Sequence, residues 1–191
     1  MPQTKAYGST ENPIEKIFWG RLELEKATSF YQFQKKGSLQ RLIHHFKYKG
    51  IKEIGITMGS LMANDLQKQG FFEGIDYLVP VPIHQLKLKK RGYNQSQYLA
   101  EGVSKVTQIP VLLDLIEKRL NTESQTRKGR FKRWKNVKSS FHLKNSSGFE
   151  GHHILLLDDV LTTGSTLEAC ALELKKIEGL RLSLLTLAYT T

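Results

Sequence analysis

Ile154-Leu155-Leu156-Leu157-Asp158-Asp159-Val160-Leu161-Thr162-Thr163-Gly164-Ser165-Thr166 decides how this 191-residue chain folds. Four apolar residues without polar alternation fit a strand buried on both faces, as in a parallel sheet, so His153 to Asp158 is expected to be a central strand. A helix is expected from about Ser165 to Ile177. Ligands of such sheets sit at the carboxyl ends of the strands, which is where the two acids fall. Each residue type has a chemical use there. The first amides of a helix are unpaired, and its dipole favours an anion. Gly164 permits close backbone approach, and Thr162, Thr163, Ser165 and Thr166 add hydroxyls. Two adjacent carboxylates would repel a phosphate, so their useful partners are neutral hydroxyls such as those of a ribose. The segment 158–166 therefore reads as a site for a sugar phosphate. A helix-capping role for Ser165 or Thr163 accounts for one residue but not for the two acids, the glycine and the other hydroxyls. No Lys follows Gly164, which excludes a Walker-type loop.

Outward from this run, Leu182 to Tyr189 reads as a closing strand. Upstream, Ser140 to Leu143 is a strand candidate, and Ser146-Ser147-Gly148 a turn. Residues 121–137 are too polar and basic for core and read as a mobile loop with one helical turn. Val111 to Leu113 is a further strand candidate. A helix is expected from about Asn94, with Tyr98, Leu99, Val103 and Val106 on its apolar face. It stops near Ile109-Pro110, because proline disfavours helical geometry in the residue before it. Tyr77 to Pro82 reads as a buried strand opening into a loop. Leu39, Leu42, Ile43 and Phe46 recur at helical spacing, as do Ile51, Ile54, Met58, Leu61, Met62 and Leu66, with Gly50 between the two groups. Residues 1–12 are polar and expected to be disordered or extended, leaving 13–191 as a single domain. Strands alternating with helices make the fold class α/β.

Hydrophobic residues form 39% of the chain and charged residues 25%, the balance of a water-soluble globular protein. No apolar run approaches the roughly 18 residues needed to cross a bilayer. Residues 1–20 hold Pro, Glu and Asn where a signal peptide needs an apolar segment. Membrane insertion is not expected, and a cytoplasmic location is. The one cysteine, Cys170, excludes an internal disulfide and a cysteine-rich zinc site, and it reads as a packed thiol. His44-His45 and His152-His153 are adjacent pairs whose side chains diverge on a regular element, so no structural metal is expected.

The net charge of +11 is unevenly placed. Lys87, Lys89, Lys90 and Arg91 form one acid-free cluster. Arg127, Lys128, Arg130, Lys132, Arg133, Lys135 and Lys138 form another. Outside these two segments the bases and acids balance at 18 each. The clusters read either as solvated loops or as contacts for a polyanion, pyrophosphate or nucleic acid.

An apolar strand, two acids, two variable residues and Thr-Thr-Gly-x-Thr form the signature of type I phosphoribosyltransferases, which this chain resembles. Val79-Pro80-Val81-Pro82, then Arg91-Gly92-Tyr93-Asn94-Gln95, then Arg119, Gln125, Arg133, Asn136 and Phe141 are similar to its ComF branch, associated with natural competence. The resemblance runs from about residue 13 to the end. It implies the type I phosphoribosyltransferase fold, a mostly parallel sheet flanked by helices with an N-terminal helical hood. ComF-type proteins commonly begin with a four-cysteine zinc ribbon. Its absence here leaves no zinc expected and puts the tasks of that ribbon in doubt.

The resemblance also implies roles. Asp158, Asp159 and Arg91 become candidate catalytic residues, and Asp158, Asp159, Val160, Leu161, Thr162, Thr163, Gly164, Ser165 and Thr166 the phosphoribosyl site. The loop from Pro82 to Gln95 would hold pyrophosphate through Lys87, Lys90, Arg91 and Asn94. Residues 121–137 would close over the anion or meet nucleic acid through Gln125, Arg127, Arg130, Lys132 and Arg133. Mg2+ would enter with phosphoribosyl pyrophosphate and have no direct protein ligands. The implied reaction is displacement of pyrophosphate from the ribose C1 by a nitrogen nucleophile, through a transition state of oxocarbenium character. The acceptor is not legible: Tyr93, Phe131 and Trp134 read equally as stacking platforms for a base or as packing. A different class is also open, a non-catalytic competence factor that binds single-stranded DNA and uses the sugar phosphate as a ligand. Candidate partners are therefore phosphoribosyl pyrophosphate, single-stranded DNA, DNA-uptake proteins and a second copy of the chain.

Overall fold

The computed structural model describes residues 4, 7–8, 12–33, 37–119 and 140–190. In chain order the elements are α1 (Pro13–Phe18), β1 (Lys26–Phe33), α2 (Ser38–Tyr48), α3 (Lys52–Gln67), β2 (Tyr77–Pro80), α4 (Gln85–Arg91), α5 (Gln95–Thr107), β3 (Ile116–Lys118), β4 (Phe141–Leu143), β5 (His153–Leu161), α6 (Ser165–Leu174) and β6 (Arg181–Thr190). The main sheet runs β1-β6-β5-β2, every pairing parallel. Beside it, β3 and β4 form an antiparallel pair.

The unbroken apolar run in β5 is explained by two cores. Successive strand residues face opposite sides of a sheet. Leu155 and Leu157 accordingly pack with Phe46, Met62, Phe71 and Leu99, whereas Ile154 and Leu156 pack with Ile14, Phe18, Cys170 and Leu174. Helices α2, α3 and α5 thus cover one face, and α1 and α6 the other. Each such fully buried side chain contributes roughly 1.5–3 kcal/mol through removal of apolar surface from water. Among the described residues, no helix is long and apolar enough to cross a membrane.

Helices α3 and α5 cross almost backbone to backbone. A Cβ on Gly59 would stand 2.2 Å from the Leu99 carbonyl oxygen, and one on Gly102 2.2 Å from that of Ile56. The crossing is held further by the Ser60 hydroxyl, which donates to the Gly102 carbonyl at 3.0 Å.

Several elements differ from the sequence expectations. Strand β5 does not stop at Asp158 but continues to Leu161, because β6 continues alongside it: Asp158 is in register with Thr186, and Leu161 with Tyr189. The helix after it ends at Leu174, short of the expected Ile177. Val111 to Leu113 makes only one bridge, Val111 to Leu78. The expected loop from Pro82 folds as α4, opened by His84, whose Nδ1 accepts from the Leu86 amide. Gly92 closes it at φ 83°, and three cations in its last turn suit the negative end of the helix dipole. At the N-terminus, the Thr4 amide donates to the Phe30 carbonyl, and Tyr7 packs edge-on against Phe71. Buried Asn12 caps α1.

Candidate active site

The carboxyl end of β5 delivers two carboxylates into different surroundings. Asp158 Oδ1 accepts from the Ser96 hydroxyl at 2.9 Å and from the Asp159 amide at 2.9 Å. Asp159 Oδ2 lies 2.7 Å from Lys47 Nζ of α2. Burial above all, and then the neighbouring Asp159 carboxylate, push Asp158 up to about 6, against the opposing pull of the Asp159 amide, Ser96 and Lys47. Beneath the pair, the cross-strand neighbour Thr186 buries a hydroxyl that has no partner among the described residues.

Past the pair the chain turns into α6, and residues 160–167 together with Asp158 line an open cleft. Thr162 and Thr163 are exposed, and Ser165 and Thr166 half-buried. The Thr163 and Ser165 hydroxyls are 2.9 Å apart. Gly164 has φ 78°, and a Cβ there would approach Phe18 to 2.9 Å. The glycine thus serves the fold as well as the cleft, since α1 packs directly beneath the turn. Glu168, in the first turn of α6, would repel an anion at the helix start. Arg21 engages its carboxylate instead, and also donates to the Thr163 carbonyl at 3.4 Å. Gly164→Ala is expected to destabilise the chain by about 1–3 kcal/mol, because a non-glycine residue is strained in the left-handed region. Equilibrium urea unfolding reads this directly, and a melting point and midpoint equal to those of the parent would contradict it.

The Arg91-to-Gln95 segment turns inward. Tyr93 is buried and its hydroxyl donates to the Phe46 carbonyl. This corrects the stacking role considered for it: the ring packs against Phe46 and Tyr98 in the core. Asn94 caps α5, its Oδ1 accepting from the Ser96 amide and its Nδ2 donating to the Val81 carbonyl at 3.0 Å. Arg91 donates to Gln95 Oε1 at 2.9 Å and lies over the Tyr48 ring. Lys90 is exposed on α4, and Lys87 is half-buried. The segment therefore fixes the start of α5, from which Ser96 reaches Asp158. Gln125, Arg127, Arg130, Lys132 and Arg133, with Phe131 and Trp134, lie outside the described residues.

Two contacts of the acidic pair escaped the sequence reading. Ser96 had no signal beyond its place in the first turn of a helix. Lys47 did have one: it lies four residues from Ile43 and eight from Leu39, on the face of α2 that turns inward.

Comparison with known proteins agrees with this geometry. A family model described as "Phosphoribosyl transferase domain" matches residues 50–190. Competence protein F of Haemophilus influenzae is 30% identical over 143 residues, which cover 73% of this chain and 62% of that protein. Competence protein ComFC of Bacillus subtilis is 32% identical over 133 residues, covering 70% and 52%. DNA utilization protein YhgH of Escherichia coli is 29% identical over 136 residues, covering 70% and 59%. The chain spans about half to three fifths of the length of these relatives. Parallel sheet, acidic pair, hydroxyl-rich turn and matched region coincide, and the chain belongs to the phosphoribosyl transferase domain family, in its ComF-type branch.

Proposed function

We propose that the cleft lined by Asp158 and residues 160–167, with Asp159 beside it, binds phosphoribosyl pyrophosphate, and that the chain transfers its ribose 5-phosphate to a nitrogen nucleophile with release of pyrophosphate. The observation that carries this reading is the meeting of Asp158 and a hydroxyl-lined helix start in one cleft, with the differently engaged Asp159 next to it on β5. The 5-phosphate is assigned to the first amides of α6 and to the hydroxyls of Thr162, Thr163, Ser165 and Thr166. The vicinal ribose hydroxyls are assigned to Asp158 and Asp159. Lys87, Lys90 and Arg91, on the helix that follows β2, are the described cations assigned to the pyrophosphate. Asn94 acts through the start of α5, both of its amide functions being engaged there.

Among the described residues, no group of three or more His, Cys, Asp or Glu side chains is placed to hold a metal. The two carboxylates are engaged by Ser96, an amide and Lys47. This donor set suits an ion that arrives on the substrate. Mg2+ bound to pyrophosphate supplies neutralisation of the charge that develops on the leaving group. The chain's own residues orient the ribose and hold the departing anion.

The test is release of pyrophosphate from phosphoribosyl pyrophosphate with Mg2+ across a panel of nitrogen bases. Release with at least one base is expected; binding without turnover across the panel would reduce the reading to a ligand site, and absence of binding would remove it. Affinity is expected to fall as the pH drops through about 6, since Asp158 then takes up a proton and loses acceptor capacity. Calorimetric titrations at pH 5 and pH 8 measure this, and equal affinities would argue against Asp158 as a ribose acceptor.

A second reading, a single-stranded DNA-handling factor that keeps the sugar phosphate as a ligand, is favoured by α4. This helix buries none of its residues and presents Lys89, Lys90, Leu86 and Leu88 to solvent. Affinity that falls steeply with salt, and that weakens when Arg130, Lys132 and Arg133 become Ala, is its expected signature. No binding at low salt would end it.

A further inference from the structure

We propose that Lys47 is a positioning residue of the acidic pair: carried in by α2, its ammonium engages one oxygen of Asp159 and so fixes how the pair presents its acceptors to the hydroxyls of a bound sugar. The inference rests on the sugar-phosphate reading above and adds to it a residue that lies outside the matched region of residues 50–190.

The placement is built rather than incidental. Lys47 Nζ stands 2.7 Å from Asp159 Oδ2, with the two side chains only 21% and 12% exposed. An exposed pair would contribute little, but this one is withdrawn from most of the solvent that screens such contacts. The residue before it is anchored twice. The Phe46 ring is fully buried, and its carbonyl accepts the hydroxyl of Tyr93. Lys47 is thereby held at a fixed height above β5, and the Arg-Gly-Tyr-Asn-Gln segment supports both carboxylates, Asp159 through Phe46 and Asp158 through Ser96.

The groups facing the pair come from each element packed on it. From α2 comes Lys47, from α5 the Ser96 hydroxyl, and from β6 the Thr186 hydroxyl. From α6 comes Cys170, whose thiol is pushed well above its ordinary range by burial first and by Asp158 second, so it stays neutral. Arg91 and Lys52 lie over the rings of Tyr48 and Tyr98. Glu168 is engaged by Arg21. Lys47 is thus the cation in contact with the pair among the described residues. Without it, Asp158 would lose a cation that opposes the push of burial and of the Asp159 carboxylate, would keep its proton to higher pH, and would offer fewer acceptor sites to a diol.

The experiment has a ligand-free arm and a binding arm. Carboxyl-carbon NMR titration of Asp158 is expected to show a midpoint raised in Lys47→Met, because a cation that lowers it has gone, with return towards the parent value in Lys47→Arg. Ribose 5-phosphate affinity at pH 7 should fall about tenfold in Lys47→Met and recover at pH 9, while affinity for inorganic pyrophosphate stays unchanged. Unmoved midpoints would overturn the proposal. So would selective loss of pyrophosphate affinity, which would make Lys47 a direct anion ligand. If the parent chain failed to bind ribose 5-phosphate, the sugar-phosphate reading would fall, while the titration would still decide what Lys47 does. Should Lys47→Met not fold, Lys47→Gln and Lys47→Arg carry the same comparison.

Discussion

Asp159→Ala is expected to weaken ribose 5-phosphate binding about 10- to 150-fold. A hydrogen bond to a charged acceptor contributes about 1.5–3 kcal/mol, and each 1.4 kcal/mol is a factor of about ten. The alanine removes the acceptor that Lys47 engages. It also frees Lys47, whose ammonium is partly exposed and is able to turn towards water, so the fold should survive. Calorimetry with ribose 5-phosphate, with inorganic phosphate as the control, gives the answer. The phosphate control should be unchanged or slightly tighter, since a negative charge near the cleft has gone. Under the proposed DNA-handling reading, in which exposed cations meet the strand, single-stranded DNA affinity should also be unchanged. Equal loss of sugar-phosphate and DNA binding would mean one shared site or a damaged fold, and a melting curve separates these two causes.

Gly59→Ala is expected to cost about 3 kcal/mol of stability, the upper part of the range for overpacking a well-packed core. The added carbon would stand 2.2 Å from the carbonyl oxygen of Leu99. That atom is backbone, so no rotamer change relieves the contact and α3 must move away from α5. Gly102→Ala meets the Ile56 carbonyl oxygen at the same distance and should cost as much. Because both act at one crossing, their effects should combine to less than their sum. For a chain of this size the single change corresponds to a melting point lower by roughly 6–12 °C. Leu61→Ala on the exposed side of α3 is the control and should move stability by no more than about 0.5 kcal/mol. The displacement also reaches the site, since α5 carries Ser96. A variant melting with the parent would show that the two helices are free to separate.

What the sequence made legible followed from periodicity and from local chemistry. Apolar spacing located α2, α3 and α5, and the unbroken run of β5 announced a strand buried on both faces. The acidic pair and the hydroxyl-rich turn were visible because strand end, turn and helix start are contiguous. Strand β1 was not visible. Its sequence is Lys-Ala-Thr-Ser-Phe-Tyr-Gln-Phe, and although Thr28 and Ser29 are buried, their polarity hides the strand from any apolar pattern. Helix α4 escaped for the opposite reason: with no buried residue it has no apolar face to repeat. Strand β3 is three residues long and exists through its pairing with β4, a contact between distant segments. The same holds for the site. Asp158 and Asp159 declare themselves locally, whereas Ser96 and Lys47 meet them only through the packing of α5 and α2, and Tyr93 offered an aromatic ring without showing whether it faced a ligand or a core.

The order β1-β6-β5-β2 places β6, the last of the six described strands, between the first and the fifth, so that it completes two ladders at once. Until Arg181–Thr190 has left the ribosome, β1 and β5 each carry a row of unpaired amides and carbonyls, and such edges invite pairing with other chains. Helices α3 and α5, close in sequence, are able to dock early, whereas the hydrogen bonds of β1 wait for residues some 150 positions later. Contacts of such long separation slow folding. A chain synthesised in this order thus passes through a half-built sheet, whose protection falls to the helices of both faces, all of which precede β6.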